Sequence, residues 1–435
     1  MTIISGFSKF SHKQRLAFLV AHSDLNDQQA LRLNDFSAPK EDQQRLLGEM
    51  VENYIGNFPL PMGVVTNMVI NDESYSVPFV TEESSVIAAA SKAAKFWAER
   101  GGFHAQIESI TKKGQVHFSW NGNPEIIHEL FPEIKRILTD STLEITDKMR
   151  KRGGGITDIQ LLDKTNELPC YYQIDLSFET ANAMGANFIN TCLEKIASVL
   201  QNLSELNNEE TKVEIIMSIL SNYNPDCRVI CWVECPVEKL SGWNKNLSYN
   251  SFAAKFKQSV DIANLDISRA VTHNKGIFNG IDAVLLATGN DYRATAAGAH
   301  AYASRRGKYK GLTTVIVTEQ TFRYELEIPL AIGTVGGITQ IHPTVKNVMA
   351  ILKYPDAKKL MMIAAASGLA NNFAAIASLI STGIQTGHMK MHLSNILNQL
   401  VTTDTERELA NTYFSDKTVS NSAVNDFILS LRSGI

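Results

Sequence analysis

Several things are scarce in this 435-residue chain, and each scarcity removes a class of function. Cysteine occurs five times, at Cys170, Cys192, Cys227, Cys231 and Cys235. An odd number with no secretion signal points to reduced thiols in a cytoplasm rather than a disulfide framework. The opening MTIISGFSKFSHKQR lacks the basic-then-apolar order of a secretory leader. No run reaches ~18 consecutive apolar residues, so no membrane-spanning helix is expected. There is no GxGxxG dinucleotide fingerprint. The pair His388 and His392 lacks the neighbouring glutamate of a zincin, so no metal site is expected. The net charge of −4 leaves no broad basic face for nucleic acid. A composition of 44% hydrophobic and 20% charged residues fits an ordinary globular protein. The length suggests about three domains.

The segments that are present alternate between two periods. KQRLAFLVAH and EDQQRLLGEMVENYIG repeat apolar residues at helical spacing within 11–55. A strand is expected at Tyr75–Val80, then the turn-like TEES, then a helix VIAAASKAAKFWAER capped by Ser84 or Ser85 and stopped by Gly101 and Gly102. Residues 113–220 read strand, helix, strand, strand, helix, strand, the order of a ferredoxin-like unit. It is not the βαβαβ of a dinucleotide-binding half. Cys227, Cys231 and Cys235 fall on one face of a strand, as small buried hydrophobes. Residues 251–270 read as one amphipathic helix, YRATAAGAHAYASRRG as an alanine-rich helix, and LTTVIVTE with FRYELEIPL as a hairpin. Residues 334–343 form a Gly-rich loop, and 344–385 are helical and apolar, with GLANNFAAIASLI as core. After Gly387 come short amphipathic helices with polar joints, for which Gly383 and Gly387 could act as a hinge.

The stretch VTHNKGIFNGIDAVLLATGNDYR at 271–293 concentrates the chemistry. Lys275 lies among His273, Asn274 and Gly276, with Asn279 and Asp282 close behind. The apolar run AVLLA is either a buried strand or a core helix segment. Beyond it stands Asp291. A lysine so placed can act as a fixed cation, and a nearby aspartate would hold it protonated.

THNKGIFNGID followed by ATGND resembles the central motif of class II 3-hydroxy-3-methylglutaryl-coenzyme A (HMG-CoA) reductases. So do, in order, ENYIGNFPLPMG at 52–63, TEESSVIAAAS at 81–91, AMGANFINT at 183–191 and GIQTGHM at 383–389. The resemblance implies an α+β fold: a large mixed α/β substrate and dimerisation domain (1–110 and 221–382), an inserted ferredoxin-like (βαββαβ) cofactor domain (111–220), and a C-terminal helical flap (383–435). It implies the four-electron reduction of HMG-CoA to mevalonate and coenzyme A, through a hemithioacetal and mevaldehyde. By resemblance Glu83, Lys275, Asp291 and His388 are catalytic. Lys275 would stabilise the oxyanion, and Glu83 would move the proton. Asp291 would orient Lys275, and His388 would protonate the departing thiolate. Ser85, Asn222, Arg269, Asn279 and Asn371 would hold the substrate, Arg269 as a bidentate partner for its carboxylate. Ser84 replaces the family's usual proline, and Asn371 its frequent glutamine. A homodimer, or a multiple of dimers, is implied by ENYIG.

The resemblance also places a nicotinamide cofactor at Asn182, Met184, Gly185, Ala186, Asn187 and Asn190, where a helix opens on small residues suited to a pyrophosphate. NADH-preferring relatives carry an aspartate where Thr146 stands. Lys148, Arg150 and Arg152 surround Asp147 and would suit a 2′-phosphate, so NADPH is expected over NADH. Three readings compete with this one. The same enzyme could run in reverse as a catabolic mevalonate oxidase. Lys275 could serve a Schiff-base aldolase, which would need a lysine of lowered pKa. The chain could instead be a non-catalytic acyl-CoA-binding protein.

Overall fold

The first helix opens with a capping box. The Ser11 hydroxyl accepts from Gln14 N, and the Gln14 side chain accepts in return from Ser11 N. This is α1 (His12–His22). Asn26 and Gln29 repeat the device for α2 (Asp27–Arg32), which the sequence reading had not separated. The next helix, α3 (Glu41–Gly48), is shorter than expected. The ENYIG segment after it is not helical, because Asn53 adopts a left-handed φ of 54° and Gly56 lies against the Leu33 carbonyl. The Tyr54 hydroxyl ties this loop to Gln44 at 2.7 Å and to Asn57 at 2.9 Å. In this computed structural model residues 4–243, 247–381, 393–394, 396–415 and 417–433 are described. The chain divides into two compact units, Met1–Pro61 and Met62–Ile435.

The second unit begins with a hairpin, β1 (Met62–Ile70) and β2 (Glu73–Val80), joined by Asn71 and Asp72. Both turn residues have positive φ, as the hairpin's right-handed twist requires. Then follow α4 (Val86–Ala98) and β3 (His104–Ile110). The chain next builds β4 (Lys112–Trp120), α5 (Pro124–Ser141), α6 (Leu143–Arg150), β5 (Gly155–Asp163), β6 (Tyr171–Glu179), α7 (Ala186–Gln201) and β7 (Val213–Leu220). These four strands form an antiparallel sheet in the order β5-β6-β4-β7, the ferredoxin-like order. The α5 and α7 faces cover it through Ile127, Ile134, Ile189 and Leu193, a core separate from the larger one.

The larger core surrounds a second antiparallel sheet. One of its two central strands is β8 (Cys227–Pro236), where Cys227, Val229, Cys231, Val233 and Cys235 alternate inward and are buried. With β9 (Thr313–Val317) and β10 (Thr321–Pro329) the order is β3-β8-β10-β9. The residues read as one helix over 251–270 belong to two. Asp266 ends α8 (Tyr249–Leu265) and caps α9 (Ile267–Ala287), its carboxylate accepting from Arg269 N at 2.7 Å. AVLLA is therefore the end of a helix, not a strand. Four more helices follow: α10 (Tyr292–Ala303), the short α11 (Ile338–Ile341) within the Gly-rich loop, α12 (Pro343–Ile351) and α13 (Ala357–Leu379). Among the described residues α13 alone is long and apolar enough to cross a membrane, yet 89% of its apolar window is buried inside the protein. It packs on α9 and α4 as a core helix. At the C-terminus α14 (Asp404–Tyr413) and α15 (Asn421–Ser433) share a small core with Leu393, Ile396 and Leu397. Gly383, Gly387, His388 and His392 lie outside the described residues.

Candidate active site

Three helices meet around a cavity of about 460 Å³. Its walls are the N-terminal half of α4, one face of α9 and the C-terminal half of α13. Two glycines let α9 and α13 touch. A Cβ on Gly280 would lie 2.2 Å from the Ser367 carbonyl oxygen, and one on Gly368 would lie 2.8 Å from Ile281. Six residues expected from distant parts of the sequence line this one cavity: Glu83, Ser85, Arg269, Lys275, Asn279 and Asn371.

The Lys275 ammonium donates to Glu83 Oε2, forming an ion pair that crosses from α9 to the turn before α4. Both side chains are partly open to the cavity. Arg269, one and a half turns back along α9, has no carboxylate partner among the described residues. Burial lowers its pKa. A guanidinium half-buried without a counter-ion is an anion-binding group. Asn371 is 4% exposed, and its amide nitrogen has no protein partner. Ser85 occupies the N-cap position of α4 but does not cap it. Its φ of 70° turns the hydroxyl away from the first-turn amides and leaves it lining the cavity, so the expected Ser84 or Ser85 cap is absent.

Three further lining residues have no role assigned from the sequence. Lys92 holds its ammonium 4.1 Å from the Trp243 ring centroid. His273 is buried, with Nε2 2.6 Å from Thr313 Oγ1, and burial, with help from Arg269, pushes its pKa down to about 3. It is neutral at physiological pH and anchors the helix. Thr272 completes that face. Only the helical phase of α9, once known, groups Thr272 and His273 with Lys275, and Lys92 joins them from α4. Asp282 lies two turns beyond Lys275. Its Oδ1 is buried without a partner, and burial first, then the Glu82 carboxylate, pushes its pKa up to about 7.

Other expected residues lie elsewhere. Asp291 caps α10, accepting from Ala294 N at 3.0 Å, with Arg293 at 3.7 Å. It is not beside Lys275 in the chain, because about 18 Å of helix separates Lys275 from Ala287. Asn222 follows β7, is exposed, and borders a separate crevice with Met184 and Gly298. Asn182 spends its carbonyl on Thr334 N (2.8 Å) and its side chain on Ala357 N (3.1 Å). Asn190 accepts from Leu220 N at 3.0 Å. Gly185, with φ of 95°, is the N-cap of α7 and offers no side-chain cap, so the first N–H groups of α7, from Ala186 and Asn187, are available. Lys148, Arg150 and Arg152 are exposed around the end of α6, whereas Asp147 is engaged by Lys151 at 2.7 Å. Thr146 is buried and bonds back to the Thr142 carbonyl at 2.9 Å.

A model of the hydroxymethylglutaryl-coenzyme A reductase family matches residues 11–393, which include every motif noted above. The chain belongs to the hydroxymethylglutaryl-coenzyme A reductase family. It is 34% identical to the 3-hydroxy-3-methylglutaryl-coenzyme A reductase of Archaeoglobus fulgidus over 395 residues, 90% of this chain and 86% of that protein. It is 32% identical to a probable reductase of Borreliella burgdorferi, over 82% of this chain and 79% of that protein. Among solved structures, a Streptococcus pneumoniae HMG-CoA reductase superposes with a TM-score of 0.73 at 35% identity, covering 99% of this chain and 100% of that one. The class II enzyme from the same organism bound to NADPH in open conformations gives 0.71 at 36% identity, covering 87% and 100%.

Proposed function

We propose that this reductase-family chain converts HMG-CoA to mevalonate and coenzyme A, with NADPH as reductant. The observation that carries the reading is the Lys275–Glu83 pair set in the same cavity as the unpaired Arg269 guanidinium. Arg269 suits the free carboxylate of the acyl group, with Ser85, Asn279 and Asn371 holding its hydroxyl and carbonyl. This places the thioester carbon near Lys275. The nicotinamide supplies hydride. When the carbonyl carbon accepts it, the oxygen becomes an alkoxide, which the Lys275 ammonium stabilises. Losing one such donor typically costs ~3–4 kcal/mol of transition-state stabilisation. Glu83 relays the proton through Lys275 to that oxygen. The hemithioacetal then collapses to mevaldehyde and coenzyme A thiolate, and a second hydride and proton give the alcohol. His388 is proposed to protonate the thiolate. The same groups serve the reverse direction, and supply sets the net flow.

The residues present fit NADPH. The uncapped α7 N-terminus suits a pyrophosphate. Lys148, Arg150 and Arg152 suit a 2′-phosphate, with Asp147 engaged elsewhere and Thr146 buried. The three-part domain layout, a cytoplasmic location and a homodimer belong to the same proposal. The test follows NADPH oxidation with HMG-CoA and with free mevaldehyde. Wild type should turn over both, and Lys275→Ala neither. Turnover of mevaldehyde by Lys275→Ala at the wild-type rate would refute the role given to the ammonium.

A further inference from the structure

Lys112 opens β4 at the base of the ferredoxin-like sheet, and it is only 5% exposed. Its ammonium donates to Thr180 Oγ1 at 2.5 Å and to the Ala183 carbonyl at 2.8 Å. Both acceptors are neutral, and no carboxylate pairs with it among the described residues. The neighbouring Cys227 is no counter-ion, because burial pushes that thiol up to about 11. An ammonium has three donors and is costly to bury unless charge and hydrogen bonds compensate it. A methionine of similar length would avoid that cost, since replacing buried ions by apolar residues is often neutral or stabilising. Burial pushes the Lys112 pKa down, so its protonated form is one that packing alone does not favour and that a nearby anion would.

Its surroundings show what it holds. Thr180 passes the bond on, donating to the Ala183 carbonyl at 2.6 Å. A Cβ on Gly185 would lie 2.4 Å from Thr180 Cγ2, so the turn 180–185 is folded tightly over the threonine. On its other side a Cβ on Gly333 would lie 2.3 Å from Met184 N. The turn is thus clamped between Lys112 and the 333–335 strand-like segment, and it ends at the uncapped first turn of α7.

We infer that Lys112 is a positioning residue for the cofactor: its buried charge fixes the 180–185 turn and adds positive potential beneath the α7 N-terminus, so that the missing counter-ion is a phosphate of the bound dinucleotide. This rests on the reading of 182–187 as the cofactor site. A purely structural lysine would be missed through folding stability. A positioning lysine is missed through NADPH affinity.

The experiment measures NADPH binding by fluorescence titration, KM for NADPH and for HMG-CoA, and Tm, on the full chain. The variants are Lys112→Met, Lys112→Gln and Asn187→Asp. Both Lys112 variants should raise the NADPH Kd and KM about tenfold. The KM for HMG-CoA should stay unchanged, and Tm should be equal or higher. Should one variant fail to fold, the other carries the measurement. Unchanged NADPH affinity in a folded Lys112 variant overturns the inference, as does a fall in Tm with both KM values rising together. Asn187→Asp adds a carboxylate to the exposed first turn of α7, where it favours the helix but repels an anion. If it leaves NADPH affinity unchanged, the cofactor reading itself fails. If it weakens NADPH while the Lys112 variants do not, only the inference about Lys112 fails.

Discussion

Asn371 and Asn372 are adjacent on α13 and have opposite duties. The Asn372 amide donates to the His273 carbonyl at 2.7 Å, and its oxygen accepts from the buried Tyr324 hydroxyl. The Asn371 amide nitrogen has no hydrogen-bond partner among the described residues, and the side chain lines the cavity. Asn372→Ala removes two buried hydrogen bonds, which typically costs ~0.5–1.5 kcal/mol each. Its Tm should fall clearly. Asn371→Ala should keep its Tm and raise the KM for HMG-CoA by several-fold, and thermal scans beside steady-state kinetics separate the two. Asp282 makes a pH prediction. Its folded pKa is raised from 3.8 to about 7, so the fold prefers the neutral carboxyl. Its contribution is fully present below the ordinary carboxylate range and is lost as pH rises through about 7. Stability by urea unfolding should therefore fall between pH 5 and pH 8 in wild type, and Asp282→Asn should lessen that fall. Resemblance of motifs located Glu83, Arg269, Lys275 and Asn371 in the sequence. It could not say which of two neighbouring asparagines was spent on the core, because that depends on Tyr324, which is 48 residues away in the chain.

At the scale of elements, the site exists because α9 and α13 cross closely. Gly280→Ala would gain up to ~1 kcal/mol of helix propensity. Against this, its Cβ would sit 2.2 Å from a backbone oxygen, which no side-chain motion relieves. Overpacking of this kind costs ~1–3 kcal/mol, so the net effect should be destabilising. Because the two helices carry Lys275 and Asn371, kcat/KM for HMG-CoA should drop with Tm, and a more stable, fully active Gly280→Ala would contradict the crossing. The ferredoxin-like order was legible because β4 and β6 place apolar residues at every second position over a covered face. The strands β1 and β3 were not, since their patterns are broken by exposed polar positions such as Asn67 and Glu108. The break between α8 and α9 lacks glycine or proline. Its only local mark is Asp266, which caps the second helix while ending the first.

At the scale of the whole molecule, one chain holds an incomplete version of the expected constellation. Twelve residues of α9 carry the chain about 18 Å along the helix axis from Lys275 to Ala287, and Asp291 stands four residues beyond, at the cap of α10. No side-chain rotation closes that distance, so if both serve one reaction, they must come from two copies. A two-fold dimer makes such pairings in duplicate, each chain giving Lys275 to one site and Asp291 to the other. This leads to a complementation experiment. Lys275→Ala and Asp291→Ala homodimers should each be inactive. Mixed at equal amounts, dissociated and reassociated, they should form heterodimers as half of the population. Each heterodimer would have one site with both residues intact and one with neither. Activity should then recover to about a quarter of wild type. Had the two residues met within one chain, every site in every heterodimer would lack one of them, and mixing would restore nothing.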